Sequence, residues 1–141
     1  MSKKVRLSRG QLDHFRRKAR GTKNEILAYL IGAVVSPDLI VIDSFAYPKK
    51  YGTSTPQEAS WFVEEYKALS KKTEERGRRI VGFIHSHPHP DASVVMSPDD
   101  YKICIKEMFR ICGVCTTDEK NRTEVKFWIM DSPLPCEKEY T

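Results

Sequence analysis

The sequence contains no apolar run long enough to cross a membrane. Among its 141 residues, EILAYLIGAVV at 25–35 is a nearly unbroken apolar stretch, and it falls well short of the roughly 20 residues that a spanning helix needs. The first ten residues, MSKKVRLSRG, lack the apolar core of a secretory signal. We therefore expect a soluble, cytoplasmic protein with no membrane partner.

Cysteine is also scarce. The chain has four cysteines, and a cytosolic protein normally keeps its thiols reduced. Cys112-Gly113-Val114-Cys115 is a C-x-x-C pair, but a structural zinc site needs four ligands, and the remaining candidates lack the spacing of a zinc knuckle. The pattern predicts that Cys112 and Cys115 are buried packing residues that flank a turn.

Acidic residues are nearly missing from the first 24 positions. This segment holds nine lysines and arginines against the one acid Asp13, while the net charge of the whole chain is +5. Such an excess is typical of a patch that binds an acidic partner or nucleic acid. It is also typical of the solvated face of a helix. Aromatic residues do not interleave with the charges as a base-stacking surface would require. We favour the helix face and expect no nucleic-acid partner.

The length is that of one ordinary domain, and no repeat or low-complexity linker divides it. We predict a single domain over 1–141, with a core at about 5–130 and an irregular tail at 131–141.

Capping patterns at Ser8, Thr55 and Ser97 predict three helices. The predicted strands are 4–8, 25–35, 39–48, 80–85 and the segments VCTT and EVKFWIM, with a polar loop at 49–54.

These strands do not alternate regularly with the helices. A doubly wound parallel sheet is therefore disfavoured. The expected fold class is α/β in the α+β sense, a mixed or mostly antiparallel central sheet flanked by helices.

Most of the residues suited to catalysis lie in FIHSHPHPDASVVMSPDD at 83–100. His85 and His87 stand one residue apart at the end of a predicted strand, so both imidazoles point to the same side. Asp100, on the first turn of the next helix, is a candidate third ligand, since a catalytic zinc takes three protein ligands and leaves one position for water. The spacing alone leaves an ordinary polar surface loop as an open alternative.

Two families of metal enzymes that begin with H-x-H do not fit this chain. A (β/α)₈ barrel needs about 250 residues, so the length excludes barrel hydrolases. A metallo-β-lactamase continues as H-x-H-x-D-H, whereas this chain reads HSHPHP at 85–90. The pattern therefore excludes that family as well.

A more complete pattern resembles the JAMM, or MPN-plus, family of zinc metalloproteases. It consists of Glu25, then His85-Ser86-His87-Pro88, then Ser97-Pro98-Asp99-Asp100. Glu25 also stands seven residues before Gly32 in an apolar strand, as the glutamate of that family does. One departure concerns the loop between His87 and Ser97, which encloses nine residues where the family usually has seven. The longer loop bears on the shape of the substrate groove.

The resemblance implies a fold and a role for each motif residue. The fold would be the MPN type, related to cytidine deaminases. His85, His87 and Asp100 would hold Zn²⁺, Glu25 would act as general base, and Ser97 would hydrogen-bond the oxyanion. Each position also has a structural alternative, because Ser97 and Asp100 form a capping-box pattern and Glu25 precedes a buried strand.

The activity that the resemblance implies is zinc-dependent hydrolysis of an amide bond, by a compact stand-alone member of prokaryotic type. The substrate would be a protein or peptide, such as a conjugate of a ubiquitin-like modifier or a sulfur-carrier protein. The alternatives are a non-catalytic MPN-type scaffold and a phage-type hydrolase of cell-wall peptides. All five motif positions are filled, which favours an enzyme. His89 and His14 fit no position and are expected in a loop and on the surface, and the oligomeric state stays open.

Overall fold

A computed structural model describes residues 3–54, 59–88 and 95–141 of the chain. Its helices and strands in these ranges are, in chain order, β1 (Lys4–Leu7), α1 (Arg9–Arg20), β2 (Leu27–Ser36), β3 (Leu39–Ala46), β4 (Tyr51–Ser54), β5 (Ala59–Trp61), α2 (Val63–Glu75), β6 (Arg79–His87), α3 (Pro98–Glu107), β7 (Ile111–Thr117), β8 (Thr123–Ile129) and β9 (Glu137–Tyr140).

The main sheet has seven strands within the described ranges, in the order β8-β7-β6-β2-β3-β1-β9. β2 and β3 form an antiparallel hairpin, whereas β6 pairs in parallel with β7. A separate two-stranded hairpin joins β4 and β5. The mixed central sheet flanked by helices confirms the predicted fold class.

The helices cover both faces of the sheet. α1 packs Leu12, Phe15 and Ala19 into the core on one face, and its basic side chains are largely exposed, as predicted for a solvated helix face. α2 and α3 lie on the other face, where Tyr66 and Cys104 pack into a second apolar cluster. No helix among the described residues is long and apolar enough to cross a bilayer.

The interior strand β6 lies very close to β7. A side-chain carbon built on Gly82 would lie 1.8 Å from the carbonyl oxygen of Ile111 on β7, so glycine is the residue that permits this approach. The parallel register then places Phe83 beside Cys112 and His85 beside Val114. The end of β6, which carries the histidines, is thereby fixed against β7.

The prediction of an irregular tail at 131–141 is wrong in part. Glu137–Tyr140 forms β9, which pairs in parallel with β1 at the edge of the sheet. The segment EKEY has no apolar alternation. Its pairing depends on the open edge of β1, and Arg6 adds a contact by donating to Glu139 Oε1 at 2.8 Å.

The second helix begins later than predicted. α2 starts at Val63 after Phe62, whose side chain makes no capping hydrogen bond, and 59–61 belongs to β5 instead. Residues 51–54 form β4 where a polar loop was expected. The predicted capping sequence at 55–58 lies outside the described residues.

The C-x-x-C pair lies within β7 and does not flank a turn. Cys112 and Cys115 are both buried, as predicted, but they belong to the apolar clusters on opposite faces of the sheet. Both thiols are free. Because the two sulfurs face different cores, this pair cannot bind one metal ion together.

Candidate metal centre

The site forms where the start of β2 meets the end of β6. Leu27 on β2 is opposite His85 on β6, which brings Glu25, two residues before Leu27, to the same edge of the sheet. Ser86 links the two segments, since its N–H donates to the Ile26 carbonyl at 3.0 Å and its hydroxyl oxygen accepts from the Ile26 N–H at 2.8 Å. The chain is thereby fixed at the residue that directly follows the candidate catalytic glutamate.

His85 lies between two carboxylates. Its side chain is 5% exposed, with Nδ1 2.9 Å from Glu25 Oε1 and Nε2 2.9 Å from Asp100 Oδ2. The contact with Glu25 is a hydrogen bond, whereas Nε2 and Asp100 form an ion pair without good hydrogen-bond geometry, and Nε2 bonds no other described residue. A buried ring nitrogen and a carboxylate oxygen at this distance are a suitable pair of donors for a cation.

The electrostatics of His85 follow from these neighbours. Burial lowers the pKa of His85, but Asp100 and Glu25 outweigh that effect and raise the pKa to about 9. Burial likewise raises the pKa of Asp100, and the contacts with His85 and Ser97 outweigh it, so the pKa of Asp100 is lowered. Without a cation, the two carboxylates therefore favour a protonated imidazole between them.

His87 is half-buried and its ring centroid lies 4.6 Å from that of His85. Among the described residues, two sets of three donor atoms lie within 4.8 Å of one another. One set comes from Glu25, His85 and His87, and the other from His85, Asp100 and Cys112. The predicted ligands thus all lie around His85, with His87 and Asp100 in different sets. Cys112 joins the second set without having been predicted.

Ser97 and Asp100 form the predicted capping box at the start of α3. The Asp100 N–H donates to Ser97 Oγ at 3.1 Å, and the Ser97 N–H donates to Asp100 Oδ2 at 3.0 Å. The same oxygen, Oδ2, faces His85. The structural and functional interpretations of these residues are therefore compatible, because the cap aims the carboxylate at the histidine. The Ser97 oxygen accepts in this contact, which leaves its hydrogen available to donate.

A cleft of about 430 Å³ opens beside Glu25, His85 and Asp100. Its walls combine apolar side chains with a few polar ones at one end, as substrate clefts do. Sequence reasoning missed these wall residues, because β5 and α3 bring them together from distant positions. They include Tyr29, Trp61, Phe83, Ile103, Lys106 and Glu107.

A larger cleft of about 530 Å³ lies elsewhere, between α2 and β3. Its charged residues include Asp43 and Arg78, which pair with each other at 2.9 Å. It contains neither histidine nor a cluster of possible metal ligands from the described residues. The smaller cleft beside His85 is therefore the better candidate for chemistry.

His14 and His89 are the two histidines that fit no position of the motif. His14 is exposed on α1, as predicted, with its ring centroid 5.5 Å from that of Tyr47. His89, predicted in a loop, lies outside the described residues.

Comparison with known proteins identifies the family. The family model described as JAB1/Mov34/MPN/PAD-1 ubiquitin protease matches residues 5–107, well over half of the chain. The chain belongs to this family. The resemblance drawn from the motif residues is therefore confirmed at the level of the family.

Two relatives bear the name COP9 signalosome complex subunit 5. The chain is similar to the Dictyostelium discoideum protein at 39% identity over 72 residues, covering 48% of this chain and 21% of the relative. It is similar to the Caenorhabditis elegans protein at 36% identity over 72 residues, covering 49% and 19%. The match thus spans only about a fifth of each relative's length.

Solved structures share the fold. A solution structure of a Desulfitobacterium hafniense protein matches with a TM-score of 0.69 at 20% identity, covering 97% of this chain and 92% of that one. The crystal structure of a JAB1/MPN domain protein from Archaeoglobus fulgidus matches with a TM-score of 0.58 at 20% identity, covering 96% and 97%. At this identity the likeness establishes the fold.

Proposed function

We propose that this protein is a zinc-dependent metallopeptidase or isopeptidase that hydrolyses an amide bond in a protein or peptide, such as a conjugate of a ubiquitin-like modifier. The observation that carries the proposal is the buried His85, whose two ring nitrogens each lie 2.9 Å from a carboxylate oxygen, one of Glu25 and one of Asp100, beside a substrate-sized cleft. Buried imidazole nitrogen and carboxylate oxygens this close together are donor atoms that a divalent cation such as zinc takes.

His85, His87 and Asp100 would hold the zinc. Two imidazole nitrogens and a carboxylate oxygen are a ligand set of the kind that catalytic zinc takes. Zinc supplies Lewis-acid chemistry there, lowering the pKa of water to about 7 and polarising a carbonyl. The Ser97 N–H donates a hydrogen bond to Asp100 Oδ2 and so orients this carboxylate. Hydrogen bonds of this kind hold ligand side chains in position for a metal.

Glu25 and Ser97 would carry out the proton transfer and the oxyanion stabilisation. Glu25 accepts the proton of the attacking water at a carboxylate oxygen and delivers it to the leaving amine. The Ser97 hydroxyl donates to the carbonyl oxygen as negative charge develops on it. Both residues stand on rigid supports, Glu25 through the Ile26–Ser86 bonds and Ser97 through its helix cap.

The first test measures bound zinc by elemental analysis. Wild type should hold close to one equivalent, Asp100→Asn far less, and His87→Ala less than wild type. Asn keeps an oxygen that can cap α3, so Asp100→Asn separates loss of the ligand charge from loss of the helix start. Asp99→Asn, on the exposed neighbour of Asp100, is the matched control and should retain zinc. Full zinc in His87→Ala would remove that residue from the ligand set.

The second test measures hydrolysis of isopeptide-linked and linear modifier fusions. Glu25→Gln should keep zinc and lose activity by about 100- to 10,000-fold, because only the proton acceptor is removed. Ser97→Ala should lower kcat by about 100- to 1,000-fold. Zinc-loaded wild type that hydrolyses none of a broad panel, cell-wall peptides included, would favour the scaffold alternative instead.

A further inference from the structure

A thiol lies among the candidate metal ligands. Cys112 is fully buried on β7, and the parallel register sets it beside Phe83, two residues before His85 on the same face of the sheet. Donor atoms of His85, Asp100 and Cys112 all lie within 4.8 Å of one another. We propose that Cys112 is a further metal ligand, holding a thiophilic divalent cation such as Zn²⁺ together with His85 and Asp100.

Two neighbours of the thiol have donor atoms suited to that cation. His85 Nε2 is buried and lies 2.9 Å from Asp100 Oδ2, with no hydrogen bond of good geometry to any described residue. Without a cation, the Asp100 carboxylate is the ion-pair partner of this nitrogen, and a bound cation would pair with both atoms. A cation shared by nitrogen, oxygen and sulfur would satisfy all three donors at once.

The chemistry of the thiol suits zinc. Cysteine sulfur is a regular zinc ligand, and thiolates select zinc-like cations over magnesium, calcium and manganese. On binding, the S–H bond of Cys112 breaks and the proton leaves to solvent, with no change of oxidation state. Cys104, which belongs to the same apolar cluster as Cys112, stands four residues after Asp100 on the same buried face of α3.

A Cys112 ligand would change how the metal is bound in the proposed active site. His85 belongs to both donor sets, one with His87 towards Glu25 and one with Asp100 towards Cys112. Cys112 would add a fourth protein donor to the three of the proposed function, and a catalytic zinc keeps its fourth position for water. The Cys112-bound form would then be a closed state of the centre, so this inference rests on the metal centre of the proposed function.

Cobalt spectroscopy tests the ligand directly. Metal-free protein is loaded with one equivalent of Co²⁺, and the near-ultraviolet absorption is searched for a sulfur-to-cobalt charge-transfer band. We expect the band in wild type and its loss in Cys112→Ser with cobalt still bound. Cys115→Ser, which removes a buried thiol from the same strand but from the opposite core, is the matched control and should keep the band. Cys104→Ser should also keep it.

Zinc X-ray absorption provides an independent readout. A sulfur scatterer at about 2.3 Å is expected in zinc-loaded wild type, against nitrogen and oxygen at about 2.0–2.2 Å alone in the variant. Should Cys112→Ser fail to fold, as judged by circular dichroism, Cys112→Val preserves an apolar side chain at the buried position and takes its place.

The outcomes separate this inference from the proposed function. Cobalt bound by wild type with no charge-transfer band would overturn the role of Cys112 and leave the enzyme proposal standing. A band that persists without Cys112, or that disappears with Cys104, would also overturn it. Wild type that binds neither cobalt nor zinc would remove both proposals.

Discussion

Replacing Ser86 with alanine should destabilise the protein far more than the loss of one oxygen atom suggests. Ser86 is 1% exposed and stands between the two motif histidines. Its hydroxyl oxygen is the acceptor for the buried Ile26 N–H, at 2.8 Å. In Ser86→Ala that N–H has no acceptor from this side chain, and water does not reach it.

The magnitude follows from the group that is left unpaired. A buried backbone donor without a partner costs about 1–3 kcal/mol, whereas the cavity left by one oxygen is too small to add much. We expect the free energy of unfolding to fall by about 2 kcal/mol. Threonine carries the same hydroxyl, so Ser86→Thr should retain the hydrogen bond and most of the stability.

Urea unfolding of the metal-free variants measures this difference. Ser36→Ala is the matched control, because the Ser36 hydroxyl also accepts a backbone N–H, from Asp38 at 3.2 Å, but in a half-buried turn that water reaches. The free energy of unfolding of Ser36→Ala should fall by no more than the net value of one hydrogen bond, about 1 kcal/mol or less. A Ser86→Ala protein no less stable than Ser36→Ala would refute the reasoning.

Three further outcomes follow from the packing and the charges. Gly82→Ala should cost more than about 3 kcal/mol or prevent folding, since its new carbon meets the backbone of β7, and circular dichroism with urea unfolding would measure this. Gly10→Ala, whose new carbon meets only Ser8 Oγ at 3.7 Å, should instead stabilise α1 by about 0.5–1 kcal/mol in the same assay, and a loss there would contradict the helix-propensity argument. The hydrogen bond from Arg6 lowers the pKa of Glu139, so this contribution is present above the unfolded pKa of about 4.3 and is lost as pH falls through the folded value. The stability difference between wild type and Glu139→Gln should therefore shrink in urea titrations taken from pH 7 to pH 3, and a difference independent of pH would contradict it.

Local patterns predicted most of the regular structure. Ser8 caps α1 and Ser97 caps α3 as expected, because a cap depends on residues only three positions apart. The segment KVRLS and the apolar run at 25–35 also form strands near the predicted positions. Their patterns were informative because the side-chain period of a strand depends only on neighbouring residues.

Patterns failed where a distant surface decides the outcome. An apolar face of α3 would place Tyr101, Ile105 and Met108 towards the core, yet all three are exposed, while Asp100 and Cys104 are buried. The helix is rotated so that its carboxylate meets His85, which hydrophobic spacing cannot indicate. β9 likewise forms only because β1 offers it an edge.

The sequence by itself determined the family and indicated the five candidate site residues of the motif, because the motif is written in residue types and spacings. Only the tertiary structure decided how they meet. Glu25 and His85 are 60 positions apart, and their 2.9 Å contact exists because β2 and β6 pair in one register. Cys112 joins them only because β7 lies beside β6, a proximity set by strand order and close packing, which no local pattern records.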